Sequence, residues 1–219
     1  MKILLIDDKT LRQQGFMQNI GIDLSDPKYN DILDNAVDQR YLEIYEQLKK
    51  DTLNYDDYSI IVAHKSAFDN NDAIITKLKN ESKVLILFSG GIDANYYVKN
   101  DKNEILELNS KIFYSHNLKK FLENFKNNKI TNILSLSYGD KWKLNIALNI
   151  VEEINYLLNE TNDNVIDCDD LIDSLAKEIL DEVDMELYIK INNDDTNRVD
   201  LICARKKILS YVDERLLYE

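Results

Sequence analysis

The chain has 219 residues, of which 44% are apolar and 31% charged, and its formal net charge at pH 7 is −13. The apolar share is ample for a folded core, and no apolar run approaches the roughly 20 residues of a membrane span, so we expect neither global disorder nor a membrane partner. The negative charge also argues against a nucleic-acid partner, because proteins that hold a phosphate backbone show a basic patch.

Two further features predict a cytoplasmic protein. The first apolar segment is too short for a signal peptide and runs directly into carboxylates. The two cysteines, Cys168 and Cys203, lie far apart and outside any metal-ligand spacing. They are typical of free thiols in a reducing compartment.

The first predicted element is a strand at residues 3–6, four apolar residues that end in Asp7 and Asp8. Such a run is typical of a strand buried on both faces of a parallel sheet. Ligands of these sheets bind just beyond the carboxyl ends of the strands. Asp7 and Asp8 are therefore the first candidate site residues.

The next elements alternate between helices and strands. In chain order we predict a short helix around 16–22, a longer helix that Pro27 opens and that runs to Leu48, a strand at 58–64 that ends in His64, a helix at 68–80, and a strand at 83–88. A sharp turn at Ser89, Gly90 and Gly91 follows the last of these strands.

The pattern then predicts a β-hairpin, with strands at 94–98 and 104–108 around the turn-forming residues 99–103. A last buried strand at 111–115 and a helix along residues 118–125 complete the N-terminal region. The alternation predicts an α/β fold, doubly wound, with a mostly parallel sheet. We place this domain at residues 1–127.

The remaining residues, 128–219, predict an acidic helical region. Amphipathic helices are expected over 142–157, over 172–187 with Asp167 as N-cap, and over 199–216, with a turn at 192–197. Residues 160–219 hold 17 acidic against 7 basic side chains, so this quarter carries most of the negative charge. A protein partner with a basic surface would suit it.

Residues 1 to about 127 resemble a response-regulator receiver domain. That family opens with a strand ending in an acidic pair that binds magnesium, and Asp7 and Asp8 match it. Its fourth strand ends in a Ser or Thr that senses the phosphoryl group, and Ser89 matches. Magnesium is the ion that the resemblance implies at Asp7 and Asp8.

Three departures from the receiver pattern indicate a degenerate domain. His64 stands where the phosphoacceptor Asp should end the third strand, Ser115 with His116 stands where a Lys should end the fifth, and no second strand is evident. We therefore predict a non-enzymatic regulatory or adaptor protein that acts through protein contacts and needs no cofactor.

One alternative is an ATP-using enzyme. Ser89, Gly90, Gly91 and Asp93 resemble the SGGxD loop of PP-loop ATP pyrophosphatases, whose backbone amides cradle phosphates at a helix N-terminus, although Ala94 replaces the usual Ser. If the loop is only a tight turn, we expect a bulky residue at Gly90 to lower stability without any loss of ATP affinity.

The second alternative is a metal-dependent hydrolase. Both histidines of the chain, His64 and His116, fall at predicted strand ends, where they would meet Asp7, Asp8 and Ser89 at the carboxyl edge of the sheet. Imidazole and carboxylate groups together suit a transition metal or general acid–base chemistry.

Overall fold

The structure is a computed structural model that describes residues 2–68, 71–127, 132–160, 165–166 and 196–218. Its contacts divide the chain into two units, Met1–Gly139 and Asp140–Glu219. The sequence placed this division after residue 127. It falls later because the helix Ser135–Tyr138 packs within the first unit, where Leu134 and Leu136 are buried.

The elements of the first unit alternate along the chain. They are β1 (Lys2–Ile6), α1 (Thr10–Asn19), α2 (Pro27–Asn30), β2 (Leu33–Ala36), α3 (Asp38–Lys50), β3 (Tyr58–His64), α4 (Asp72–Glu81), β4 (Val84–Ser89), β5 (Tyr96–Lys99), β6 (Glu104–Asn109), α5 (Ser110–Phe113), α6 (His116–Lys126) and α7 (Ser135–Tyr138). Short 3-10 helices precede β3 at Tyr55–Asp57 and follow it at Lys65–Phe68.

The strands form one six-stranded sheet of order β2-β1-β3-β4-β6-β5. Within the described residues of this sheet, β5 alone runs antiparallel to its neighbour. The mostly parallel α/β sheet predicted from the sequence is thus confirmed. The order is compatible with a doubly wound fold, in which the crevice lies between β1 and β3.

Helices cover both faces of the sheet. Alternate residues of each strand point to opposite faces, so Ile3, Leu5, Val62 and Ile86 meet Met17 of α1 and Leu118 and Phe121 of α6. Leu4, Ile61 and Leu85 belong to the second core, with Ile44 of α3 and Leu78 of α4. The sheet is therefore the middle of three layers.

The long helix predicted from Pro27 to Leu48 is wrong. Helix α2 ends at Asn30, and residues 33–36 form β2, which pairs in parallel with β1. The second strand that the sequence did not reveal is therefore present. It has no apolar run because its two middle residues, Asp34 and Asn35, are only half-buried and make side-chain hydrogen bonds.

The strand predicted at 111–115 is also wrong. Residues 110–113 form α5, whose first turn is capped by the side chain of Asn109, which accepts a hydrogen bond from the Lys111 amide at 2.9 Å. The hairpin of β5 and β6 is confirmed. Its second strand, β6, is the fifth parallel strand of the sheet, so the chain passes from β4 to β6 through a strand and not through a helix.

The second unit contains α8 (Trp142–Glu160), β7 (Val165–Ile166), β8 (Thr196–Asn197) and α9 (Arg198–Tyr218). The predicted helices at 142–157 and 199–216 are confirmed. They pack together, Ile154 and Ile208 are fully buried, and the Arg205 guanidinium donates to Asn155 Oδ1 at 2.7 Å. The helix predicted at 172–187 lies outside the described residues. No helix in the described ranges is long and apolar enough to cross a membrane.

Candidate functional site

The candidate site lies at the carboxyl ends of β1 and β3. Asp7 and Asp8 follow β1 directly, and His64 is the last residue of β3. These strands are neighbours in parallel register, with Ile6 opposite Ala63. The structure therefore brings the acidic pair and His64 to one edge, at the position where doubly wound sheets bind their ligands.

Asp7 is fully buried, and both of its carboxylate oxygens accept hydrogen bonds. Oδ1 accepts from Arg12 Nη2 at 2.5 Å and from the Lys9 amide at 3.1 Å, while Oδ2 accepts from the Tyr114 hydroxyl at 2.9 Å. A buried carboxylate is tolerated only when it is paired and hydrogen-bonded. Asp7 meets both requirements.

Arg12 joins the two members of the acidic pair. Its Nη2 lies 3.2 Å from Asp8 Oδ1 as well as 2.5 Å from Asp7 Oδ1. The arginine belongs to the first turn of α1, so the helix delivers it to the end of β1. Sequence reasoning missed this residue, although an acidic and a basic residue four apart at the start of a helix are a recognised pairing signal.

Tyr114 reaches Asp7 from the segment between α5 and α6. It follows α5, stacks on Phe16 with ring centroids 5.0 Å apart, and meets Phe88 and Phe113 edge-on. Burial raises the pKa of Tyr114, and the Asp7 carboxylate raises it further. The hydroxyl therefore stays protonated and acts as a donor. It was missed because residues 111–115 were interpreted as a strand.

His64 is 5% exposed and lies edge-on against Phe88 at 5.0 Å. Its Nδ1 accepts a hydrogen bond from the Ser66 amide at 3.1 Å, so this nitrogen carries a lone pair. Burial lowers the pKa of His64 and Arg12 lowers it further, against the opposing effect of Asp7 and Asp8. The imidazole is therefore neutral at pH 7.

Ser66 connects His64 to the acidic pair. Its hydroxyl lies 2.7 Å from His64 Nδ1 and 3.3 Å from Asp8 Oδ1. Polar contacts thus run without a break from Tyr114 through Asp7, Arg12, Asp8 and Ser66 to His64, and we call these six residues the edge network. Sequence reasoning identified Asp7, Asp8 and His64 of this set.

The edge network, as arranged, does not fit a magnesium ion. The two oxygens of Asp7 and one of Asp8 already face protein donors, and the guanidinium of Arg12 supplies the positive charge that a cation would bring. Among the described residues, no group of three or more His, Cys, Asp or Glu side chains could hold a metal.

Ser89 ends β4 outside this network. Its hydroxyl accepts a hydrogen bond from the Gly91 amide at 3.3 Å, and Asn109 Nδ2 donates to the carbonyls of Gly90 and Ile92 at 3.3 and 2.9 Å. These bonds describe a tight turn. The chain beyond it enters strand β5, so the loop does not lead into a helix of its own, as the phosphate-binding loop of PP-loop enzymes does, and Asp93 is exposed.

His116 does not lie at a strand end, contrary to the sequence expectation. It is the exposed first residue of α6, and Ser115 is the N-cap, its hydroxyl accepting from the Asn117 amide at 3.3 Å. No hydrogen bond or ion pair joins His116 to the edge network within the described residues. The described contacts thus do not bring the two histidines together.

Comparison of the chain with protein-family models, with curated proteins and with solved structures found no match. The function of the chain must therefore be inferred from its strand order and from the edge network.

The first prediction concerns the hydroxyl of Tyr114. Tyr114→Phe leaves Asp7 Oδ2 buried without a donor, and should lower the free energy of unfolding by about 1–3 kcal/mol in urea titrations. Tyr55→Phe is the matched control, because the buried Tyr55 hydroxyl has no hydrogen-bond partner among the described residues. It should change stability by less than about 0.5 kcal/mol. Equal losses in both variants would contradict the role of Asp7.

The second prediction concerns pH. The folded pKa of His64 lies below its unfolded value of about 6.5, so the unfolded state binds the proton first as the pH falls. Stability therefore falls as the pH drops from about 6.5 toward the folded pKa. Above about pH 6.5, the contribution of the neutral imidazole is fully present. His64→Asn keeps an acceptor near Nδ1 but does not titrate, so unfolding midpoints should vary less between about pH 7.5 and 5.

His116→Asn is the control for this titration, since it removes an exposed histidine from a different element. The pH dependence that His64 causes should persist in this variant. A pH dependence that follows His116 and not His64 would show that the buried imidazole is not the titrating group.

The third prediction concerns Gly90. A Cβ added there meets no atom within 4 Å, and its φ is not positive, so Gly90→Ala should change stability by less than about 0.5 kcal/mol. Gly139→Ala, where φ is +77°, should cost about 1–3 kcal/mol. Calorimetry should detect no ATP binding that Gly90→Ala removes.

Proposed function

We propose that the first unit is a receiver-like regulatory domain that acts through protein contacts and does not perform aspartyl-phosphate chemistry. The observation that carries this proposal is the position of Arg12. Its guanidinium contacts both carboxylates of the acidic pair, at the place where a receiver would hold its magnesium ion. Because the single charge of Arg12 already faces two carboxylates, the edge network has no further cation to balance an incoming phosphoryl group.

The residue at the end of β3 supports the same proposal. His64 stands where a receiver has its phosphoacceptor Asp, and Ser66 already donates to its Nδ1. In this arrangement Nδ1 of the histidine is already hydrogen-bonded to the turn that follows β3. It is therefore poorly placed to accept a phosphoryl group at that nitrogen.

The end of the fifth parallel strand also departs from a receiver, although not as the sequence suggested. Strand β6 ends at Asn109, so Asn109 and not Ser115 occupies the place of the Lys. The Asn109 amide ties the carbonyls of Gly90 and Ile92 together. The position thus stabilises a turn and offers no cation to a phosphate.

The partner that we propose is a protein with a basic surface, met in the cytoplasm. Residues 160–219 hold 17 acidic and 7 basic side chains, which favours such a partner and an affinity that falls as salt rises. Cys203 is an exposed free thiol, as suits a reducing compartment.

A fourth prediction tests this proposal. Incubation with acetyl phosphate and MgCl2 should leave the intact mass of the wild type unchanged, and MgCl2 should not raise its melting temperature. Arg12→Met removes the guanidinium and leaves two carboxylates facing each other. It should be less stable than the wild type, and MgCl2 should recover part of the loss, because an ion that binds only the folded state stabilises it.

Lys77→Met is the matched control. Lys77 of α4 pairs with Asp51 at 2.5 Å, and this is its one carboxylate partner among the described residues. This variant should lose stability without any recovery by MgCl2. A phosphoryl group mapped to an aspartate of the wild type would overturn the proposal, as would stabilisation of the wild type by magnesium.

A further inference from the structure

Helix α9 carries an apolar stripe on a side that does not pack on α8. The side facing α8 buries Leu201, Ala204, Ile208 and Val212. Ile202, Leu209 and Leu216 are instead 43%, 39% and 58% exposed. Residues spaced seven apart lie along one line of a helix, with a drift of only about 20° per heptad. The stripe is therefore an ordered surface and not three scattered side chains.

Two side chains of opposite charge lie beside this stripe, both on the same flank. Lys206 and Asp213 are both exposed, and each precedes a stripe residue, Leu209 or Leu216, by three positions. At 3.6 residues per turn, three positions correspond to a rotation of 60° back to the stripe. The surface thus consists of an apolar line with one cation and one anion beside it.

We propose that this stripe is the interface through which two copies of the chain associate, with their α9 helices antiparallel about a two-fold axis. If the axis passes between residues 209 and 210, Lys206 lies opposite Asp213 of the partner subunit, and Asp213 opposite the partner subunit's Lys206. The same axis places Leu209 of each copy together. It sets Ile202 within one residue, a rise of about 1.5 Å, of the level of the partner's Leu216.

The charges select this arrangement over others. A two-fold axis perpendicular to both helices brings the same flank of each helix together, so the apolar line meets the apolar line and the charged flank meets the charged flank. In a parallel pair the two-fold axis runs along the helices, so the charged flank of one helix meets the opposite flank of the other, and Lys206 and Asp213 do not meet. The antiparallel pair instead satisfies both charges twice.

A second copy of this chain is thus the occupant that the surface fits. A foreign partner would need its own line of apolar residues with a cation and an anion in this spacing. A copy of α9 supplies all of them by symmetry, and isologous contacts of this kind are the commonest in protein oligomers.

Sedimentation equilibrium of the full chain in a reducing buffer tests the proposal. The wild type should show a monomer–dimer equilibrium at concentrations up to about 100 μM, the range of a small interface. Leu209→Glu should abolish it. Lys206→Glu and Asp213→Lys should each raise the dissociation constant about three- to tenfold, because each makes both cross-pairs like-charged.

The double variant Lys206→Glu with Asp213→Lys should return the dissociation constant to within about twofold of the wild type, since it restores both pairs in reversed order. Glu214→Lys is the matched control, being an adjacent exposed acid off the stripe, and should have little effect. Circular dichroism of each variant checks that the helices remain folded. A monomeric wild type, or a double variant no better than the singles, would overturn the proposal.

Discussion

A buried negative charge constrains the whole carboxyl edge of the N-terminal sheet. Asp7 has no contact with solvent, so its charge must be balanced and its oxygens must find donors within the protein. Arg12 comes from α1 and Tyr114 from the segment between α5 and α6. Two elements that cover the same face of the sheet are therefore attached to one carboxylate at the end of β1.

The value of such an arrangement is specificity more than stability. A buried ion pair offsets little more than its own desolvation, but removal of one partner leaves the other uncompensated. Any shift of α1 or of Tyr114 away from β1 exposes Asp7 to that penalty. The edge network thus favours a single arrangement of these elements.

Strands β1, β3 and β4 could be predicted from the sequence because each is buried on both faces and reads as an apolar run. Strand β2 could not, since only its end residues Leu33 and Ala36 are buried. Its middle residue Asn35 exchanges amide hydrogen bonds with Gln13, at 2.8 and 3.0 Å. A pairing between residues so distant in sequence leaves no local periodicity to detect.

Only part of the candidate site could likewise be predicted from the sequence. Asp7, Asp8 and His64 end buried strands, and strand ends can be located from the apolar runs before them. Arg12 and Ser66 lie in the helix and turn that follow, where position depends on tertiary packing. The role of Tyr114 was missed together with helix α5, because Ile112 and Phe113 form an apolar pair that fits a strand and a helix equally well.

The turn after β3 shows how the two faces of the sheet depend on each other. Lys65 follows His64 and pairs with Glu107 at 2.6 Å, as does Lys79 of α4. Burial acts to raise the pKa of Glu107, but the hydrogen bonds and charges of the two ammonium groups outweigh it, and the pKa is lowered. The next residue, Ser66, belongs to the edge network on the other face. Displacement of this turn would therefore break polar contacts on both sides of the sheet at once.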